Sequence, residues 1–351
     1  WRYVYPPPFA ILMVPFAQMP LALGAFIWYV LTVIAIGASV VMSASVLGMS
    51  ALKQKPYLLY GLPLLSLCVL LVSGAMRCQA SAFMFCGMIA AFYFHLKEKP
   101  IAAGLSLAAA ALIKVFPIVL VVYFIIRRQW RALLATAVGL VLMGIILPSL
   151  YWGWQFNLDQ ILRWLDVVGH PAVMHNTARA QMTSLYSQLL DTTKPRNQSL
   201  ESLFLSFNMP TYLTHYAVAG CALLMLGIMW HRAIFIRQPQ ATGDSSNSPK
   251  KIMLGESLLC SAFIIWSLLI TPISESHYYG ALLLPLTVLI GFVTQSGYSR
   301  TVQLKLMALG GGIMSMVMIL ITIDVFAVWR PLCIVSILLW LLCIRLISKI
   351  Q

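Results

Sequence analysis

The feature that most constrains this chain is a series of apolar runs, each roughly 20 residues long, separated by short loops that carry basic residues. Hydrophobic residues make up 61% of the chain and charged residues only 9%, and the mean hydropathy is +0.90. A globule of 351 residues needs far more polar surface than this composition supplies. We therefore predict an all-α, polytopic transmembrane protein with about ten or eleven helices.

The apolar runs predict most of the membrane-crossing helices directly. The expected spans are Leu21 to Leu47, Tyr57 to Ala75, Ala80 to His95, Leu133 to Leu150, Thr211 to Trp230, Ile252 to Ile270, Tyr278 to Thr294, Leu306 to Trp329 and Pro331 to Ile347. The stretch from Pro6 to Pro20 is too short to cross a bilayer, and we expect it to form an interfacial helix on the outer leaflet.

One further apolar stretch, from Pro100 to Ile126, predicts a hairpin and not a span. It is broken at Lys114, and basic residues flank it on both sides. Because Lys and Arg in short loops stay in the cytoplasm, a single crossing would put one flank on the wrong side. Two short helices that turn at Lys114 satisfy both flanks.

The same charge rule sets the predicted orientation. With the basic clusters inside, the chain is a multi-pass protein of the cell inner (plasma) membrane with a cytoplasmic C-terminus. The long loop 151–210 then lies outside. Chemistry is expected to face outward, because most of the carboxylates fall on that face: Asp159, Asp166, Asp191, Glu201 and Glu275.

Composition also divides the chain. Residues 1–237 form one predicted transmembrane module, which includes the outer loop. Residues 238–251, rich in Ser, Gly, Asn and Pro at their start, form a predicted cytoplasmic linker. Residues 252–351 form the predicted C-terminal transmembrane helices.

Composition and motifs argue against several function classes. The formal net charge is +14, but the basic residues act as topology markers, so no nucleic-acid partner is predicted. The seven cysteines show no CxxC spacing, which indicates neither a disulfide framework nor a zinc site. No Walker loop, GxGxxG, HExxH or GxSxG sequence occurs, and no cofactor is predicted. Metal dependence stays open, although no outer carboxylate cluster has ligand spacing.

Lys114 is the first candidate for function. An ammonium inside an apolar run is costly unless it faces a cavity or pairs with an anion, and a phosphate is its natural partner. Pro117 breaks the helix nearby, as a cavity-lining segment requires. The structural alternative is that the Lys114 side chain simply extends to the membrane interface.

Other candidates lie at the predicted outer ends of helices. Arg77 and Gln79 could donate to the same anion or to sugar hydroxyls, or they could be ordinary interfacial residues. Glu275 and His277 lie in a tight outer loop beside Tyr278, where a carboxylate can tune an imidazole for acid or base chemistry. Helix capping is the simpler explanation for Glu275.

The outer loop combines aromatic anchors with a polar stretch. Residues 194–200, which include Asn197 and Gln198, are dense in hydrogen-bond donors. The loop's tryptophans are expected to anchor amphipathic pieces at the headgroup level, and their faces could also stack on sugars. These are Trp152, Trp154 and Trp164.

Several short pieces occur in a fixed order along the chain. They are Tyr5-Pro6-Pro7 with Pro15, Gln79, Ile113-Lys114-Val115-Phe116-Pro117, Arg127-Arg128-Gln129-Trp130-Arg131, Asn197-Gln198-Ser199-Leu200, Thr271-Pro272-Ile273-Ser274 and His277-Tyr278-Tyr279. Together they resemble glycosyltransferase family 87, a branch of the GT-C membrane glycosyltransferases. The resemblance runs over residues 5–285.

This resemblance implies a GT-C-like fold and an inverting hexosyltransferase. Such an enzyme moves a sugar, typically mannose, from a polyprenyl-phosphate donor to a lipid-linked or glycan acceptor on the outer face. By the same resemblance, Lys114 approaches the donor phosphate and His277 lies at the reaction centre. The expected partners are that donor, that acceptor and membrane lipids.

GT-C enzymes generally use an aspartate in the first outer loop as base, and that position would precede residue 1 here. We expect either that the natural sequence continues upstream or that the protein is catalytically inactive. Glu275 is the weaker candidate for the base. The candidate catalytic residues are His277 and Glu275, and the candidate substrate-binding residues are Lys114, Arg77, Gln79, Tyr5, Asn197, Gln198 and Tyr278.

Two other functions stay open. A lipid-linked glycan transporter or flippase would recognise a headgroup without breaking a bond. Transporters usually show paired halves with matching broken helices, and only one break stands out here, which favours the enzyme. A non-catalytic membrane subunit would fit a chain that lacks the upstream aspartate.

Overall fold

The computed structural model describes residues 5–48, 56–166, 191–237, 249–295 and 329–350, together with scattered positions from 299 to 317. These residues are largely helical and contain no β-strand, which confirms the predicted all-α class. A helix satisfies its own backbone hydrogen bonds, for which lipid offers no partner. The linker prediction for residues 238–248 and most of the predicted span from Leu306 to Trp329 fall outside the described residues.

We number the helices of the described residues in chain order. They are α1 (Pro7–Ala17), α2 (Leu21–Ser45), α3 (Pro56–Met76), α4 (Ser81–Leu96), α5 (Pro100–Ile113), α6 (Val121–Ile126), α7 (Trp130–Trp152), α8 (Trp154–Trp164), α9 (Leu200–Ser206), α10 (Thr211–Arg237), α11 (Pro249–Ile270), α12 (Leu283–Gln295) and α13 (Pro331–Ile350). Short 3-10 helices, Phe116–Leu120 and Ser276–Leu282, precede α6 and α12.

Within the described residues, seven segments are long and apolar enough to cross a membrane. They are α2, α3, α7, α13, most of α10 and of α11, and the segment Ser276–Gln295, which joins the second 3-10 helix to α12. The chain is therefore a multi-pass helical membrane protein. The predicted span from Ala80 to His95 corresponds to α4, which has 16 residues and is shorter than these seven.

The hairpin predicted between Pro100 and Ile126 is present as two short helices. Helix α5 ends at Ile113, and Lys114 adopts an extended backbone with φ −143° and ψ 134°. Pro117 has no backbone N–H to continue an α-helix, and the chain forms a 3-10 helix there before α6. Lys114 therefore occupies the tip of the hairpin.

Close backbone packing holds the hairpin against α7. A Cβ atom at Gly104 would lie only 2.2 Å from the carbonyl oxygen of Ala132, so this approach requires glycine. Farther along, a Cβ at Gly139 would lie 2.8 Å from the Cβ of Ala108. Small residues of this kind let transmembrane helices approach closely in lipid. This contact fixes where Lys114, at the tip of the hairpin, lies along the axis of α7.

The most deeply buried elements are α11 and the segment Ser276–Gln295. Side chains of α11 such as Phe263, Leu268 and Leu269 are inaccessible. The loop between these two elements, residues 271–275, is therefore carried by the most enclosed part of the described structure. Rigid supports of this kind position loop side chains accurately.

Candidate active site

Four chain segments that are distant in sequence meet at one end of the helices. They are the segment before α1, the turn between α3 and α4, the tip of the hairpin, and the loop 271–275 with the start of the second 3-10 helix. Their side chains include Tyr5, Gln79, Lys114, Glu275 and Tyr278, which the sequence analysis had singled out. We call this set, together with His277, the Lys114 cluster.

Lys114 lies between two aromatic faces. Its Nζ is 3.7 Å from the ring centroid of Tyr278 and 5.5 Å from that of Tyr5. Cation–π contacts of this kind stabilise an ammonium that has left water. In the described part of the chain, Lys114 Nζ forms no ion pair with a carboxylate. The ammonium is therefore held in place by rings and is not ion-paired with a carboxylate of the described residues.

Burial lowers the pKa of the Lys114 ammonium to about 7, and the negative charge of Glu275 partly opposes that effect. The direction follows from desolvation, which penalises the charged form of a lysine. Lys114 lies outside the segments that qualify as spans. Near neutral pH, this side chain therefore exists in both protonation states until an anion binds and favours the charged one.

The aromatic rings around Lys114 are themselves fixed. Tyr278 stacks on Phe116 with 5.5 Å between the ring centroids and an interplanar angle of 10°. Tyr5 packs against Phe9 at 4.9 Å, and its hydroxyl donates a 3.0 Å hydrogen bond to Oε1 of Gln79. Sequence reasoning missed the role of Phe116, although its place two residues after Lys114 was a usable signal.

His277 and Glu275 form a pair with unequal access to solvent. His277 is only 3% exposed, whereas the Glu275 side chain is 41% exposed. The Nδ1 atom of His277 lies 3.4 Å from Oε2 of Glu275, and neither ring nitrogen makes a hydrogen bond within the described residues. A buried imidazole next to an accessible carboxylate can receive or orient a proton at a substrate hydroxyl.

The α3 helix makes room for His277 by means of a glycine. A Cβ atom at Gly74 would lie 3.3 Å from the Cβ of His277. Next to this contact is a cavity of about 10 Å³ that His277, Gln79 and Ser81 help to line. Such a volume accommodates roughly one water molecule.

The loop 271–275 is tied to the segment before α9 by Asn197. Its Nδ2 donates to the carbonyl oxygens of Pro272 at 2.7 Å and of Thr192 at 3.1 Å. Its Oδ1 accepts from the backbone N–H of Ser274 at 2.9 Å and of Ser199 at 3.2 Å. The amide of Asn197 is thus fully used within the protein.

Gln198 is engaged in the same way and has an exposed fraction of 0%. Its backbone N–H donates to the Ser274 carbonyl at 2.8 Å, and its Nε2 donates to the Pro195 carbonyl at 2.9 Å. Its Oε1 accepts from the backbone N–H of Leu332 at 3.1 Å. Asn197 and Gln198 are predicted from sequence to bind substrate, and their bonds within the protein support a role in holding the loop that carries Glu275.

Arg77 lies near the cluster, yet it points to solvent. Its side chain is exposed and donates a 2.7 Å hydrogen bond to the Ser73 hydroxyl, one helical turn away. The structure therefore brings together every candidate except Arg77, Asn197 and Gln198 in the Lys114 cluster. Among the described residues, no group of three or more His, Cys, Asp or Glu is placed to hold a metal ion.

Comparison with known families gives one match. The sequence model of glycosyltransferase family 87 matches residues 3–261, about three quarters of the chain. The matched range includes Tyr5, Gln79, Lys114 and Asn197 and ends before the loop that carries Glu275. Neither the curated proteins nor the solved structures contain a significant match.

Proposed function

The chain belongs to glycosyltransferase family 87, and we propose that it transfers a hexose, namely mannose, from a polyprenyl-phosphate sugar to a lipid-linked or glycan acceptor on the outer face of the membrane. Membership of the family makes the protein a membrane glycosyltransferase with a sugar donor and an acceptor. The choice of sugar, donor and side of the membrane is our proposal.

The observation that carries the proposal is the position of Lys114. A buried ammonium without a counter-charge is costly, and the hairpin tip presents Lys114 between two aromatic rings without an ion-paired carboxylate among the described residues. A donor whose leaving group is a lipid phosphate supplies the missing anion. Aromatic faces next to the cation also suit the apolar face of a sugar ring.

In the proposed reaction, the acceptor hydroxyl oxygen attacks the anomeric carbon as the bond from that carbon to the phosphate oxygen breaks. The electron pair of the broken bond stays on the lipid phosphate, where Lys114 stabilises the charge that develops. The hydroxyl proton passes to the carboxylate of Glu275, and the His277 ring, whose Nδ1 lies 3.4 Å from Oε2, restricts the position of this carboxylate by contact. Attack opposite to the leaving group inverts the anomeric centre.

The test is a transfer assay on the full-length protein in nanodiscs with radiolabelled polyprenyl-phosphate mannose. We expect the label to leave the donor and enter a new lipid or glycan product only when a membrane lipid extract supplies the acceptor. Polyprenyl-phosphate glucose serves as the control for sugar choice. Donor binding without consumption under all these conditions would contradict the proposal.

A further inference from the structure

A second cavity lies away from the Lys114 cluster, between α3, α12 and α13. Its volume is about 450 Å³, within the range of about 300–1,000 Å³ that is usual for small-molecule sites. Its walls are mainly apolar and include Leu62 from α3, Leu289 from α12 and Leu342 from α13, and Gly310 and Met314 also line it. A ligand that fits there must bring an apolar part of its own.

This cavity belongs to the other half of the membrane. On α3, Gly74 contacts His277 near the C-terminal end of the helix, whereas Leu62 lies near its N-terminal end. In the next buried segment, Leu289 follows His277 by 12 residues, which corresponds to roughly 18 Å along the axis. The cavity and the Lys114 cluster thus face opposite leaflets.

Two cations stand at the mouth of the cavity. Arg345 and Lys349 line it and are one turn apart on α13, so they share one face of the helix. Both are exposed, and neither forms an ion pair with a carboxylate among the described residues. Cations at the end of a span, above an apolar cavity, complement the phosphate of a lipid headgroup.

We propose that this cavity binds one anionic glycerophospholipid of the cytoplasmic leaflet. An acyl chain fills the space between α3, α12 and α13, and the phosphate lies between Arg345 and Lys349. The charge of basic loops places this end of the helices on the cytoplasmic side. Basic residues at a helix end are ordinary in membrane proteins, but their position over an apolar cavity that opens between helices is what indicates a bound lipid. The proposal is independent of the transfer reaction.

Native mass spectrometry of the full-length, delipidated protein tests this site. Phosphatidylglycerol and phosphatidylcholine with identical acyl chains are added separately. We expect one phosphatidylglycerol molecule to be retained. The double variant Arg345→Gln/Lys349→Gln should lower its affinity roughly 30-fold, because each basic residue near a membrane contributes about fivefold to binding an anionic lipid.

The matched control is Arg128→Gln/Arg131→Gln, which removes two exposed positive charges from the same predicted side without touching the cavity. It should bind phosphatidylglycerol as the unchanged protein does. Leu342→Trp fills the cavity and keeps both cations, so it should also weaken binding. Circular dichroism checks that each variant keeps its helical content. If the cavity double variant loses helical content, the single variants Arg345→Gln and Lys349→Gln are measured in its place.

Three results would overturn the proposal. The first is equal retention of phosphatidylglycerol and phosphatidylcholine. The second is equal affinity of the two double variants for phosphatidylglycerol. The third is displacement of phosphatidylglycerol by an equimolar polyprenyl phosphate, which would assign the cavity to the donor lipid.

Discussion

At the residue scale, the site depends on one cation in an apolar setting. Lys114 is held by the rings of Tyr5 and Tyr278, so its position is fixed before a ligand arrives. Preorganised charge contributes more to catalysis than charge that must be moved into place. Glu275 and His277, the proposed acid–base pair, lie in the same cluster but come from another segment of the chain.

Removal of the Lys114 charge should abolish most of the transfer. We expect Lys114→Ala to lower kcat roughly 100-fold, because the leaving phosphate loses its cationic partner. Lys114→Arg should keep part of the activity, since it preserves the charge but not the shape. Transfer is measured with the nanodisc assay, and helical circular dichroism checks the fold. Unchanged turnover in Lys114→Ala would remove this residue from the site.

Donor binding should weaken as the pH rises through 7. The pKa of Lys114 is lowered to about 7, so the ammonium is mostly present at pH 6 and mostly lost at pH 8. The dissociation constant of the donor should therefore increase roughly tenfold over this interval. Lys114→Arg should flatten the profile, because guanidinium stays charged. Lys99→Arg, an exposed lysine at the other end of the hairpin, should leave the pH dependence in place.

Glu275→Gln should affect turnover more than binding. The substitution keeps the size of the side chain and removes the proton acceptor, so kcat should fall by roughly 100-fold or more while KM stays close to its original value. Asp159→Asn is the control, because this exposed carboxylate pairs with Arg163 on α8, outside the cluster. A rise in KM at constant kcat would instead make Glu275 a binding residue.

At the element scale, the sequence is sufficient to predict the hairpin. It is insufficient to predict which side chains from other segments pack against the hairpin. Basic residues on both flanks and Pro117 after Lys114 specify two short helices, because the charge rule and the missing N–H act locally. The stacking of Phe116 on Tyr278 joins residues far apart in sequence. No local periodicity encodes which side chains meet at such a separation, so this contact had to be observed.

The predicted substrate contacts of residues 197–198 show the same limit. A polar stretch before a helix gives the same sequence signal whether it faces a ligand or holds a loop. The Asn197 side chain accepts a hydrogen bond from the backbone of Ser274, 77 positions away, and this bond supports a role in holding the loop. Arg77 also bonds within the protein, but to a neighbour in sequence, since its guanidinium donates to the Ser73 hydroxyl four positions earlier.

Asn197→Ala should loosen the loop that carries Glu275. The substitution leaves several buried backbone groups without partners, and we expect a destabilisation of about 2–3 kcal/mol together with reduced kcat. Thermal unfolding and transfer activity measure the two effects. Ser206→Ala, which removes one local hydrogen bond at the end of α9, is the control and should change both little. Full activity in Asn197→Ala would contradict a positioning role.

At the scale of the whole molecule, a buried ion pair joins the hairpin to the rest of the described helices. Arg127, just after α6, pairs with Glu256 of α11. Its Nη1 donates a 2.7 Å hydrogen bond to the Ala233 carbonyl of α10, and the Tyr123 hydroxyl donates to Glu256 at 3.2 Å. The base of the hairpin is thereby tied to two long helices, while its tip carries Lys114.

Breaking this pair on one side should be costly. Glu256→Gln leaves the Arg127 charge buried without its partner, and we expect a loss of about 3–5 kcal/mol in the free energy of unfolding. The double variant Arg127→Met/Glu256→Met should recover much of this loss, because no charge stays uncompensated. Thermal unfolding in detergent measures both variants. Arg163→Gln, which breaks an exposed pair, should have little effect.

The tight contact between Gly74 and His277 also has a consequence for fidelity. The cavity beside His277 measures only about 10 Å³, and Gly74 lies against His277 at its edge. Water competes with an acceptor hydroxyl, and on the His277 side of the cluster this cavity has room for about one molecule of it. Under the proposed function, the tight contact at Gly74 limits the water held on the His277 side, which lowers futile hydrolysis of the activated sugar from that side.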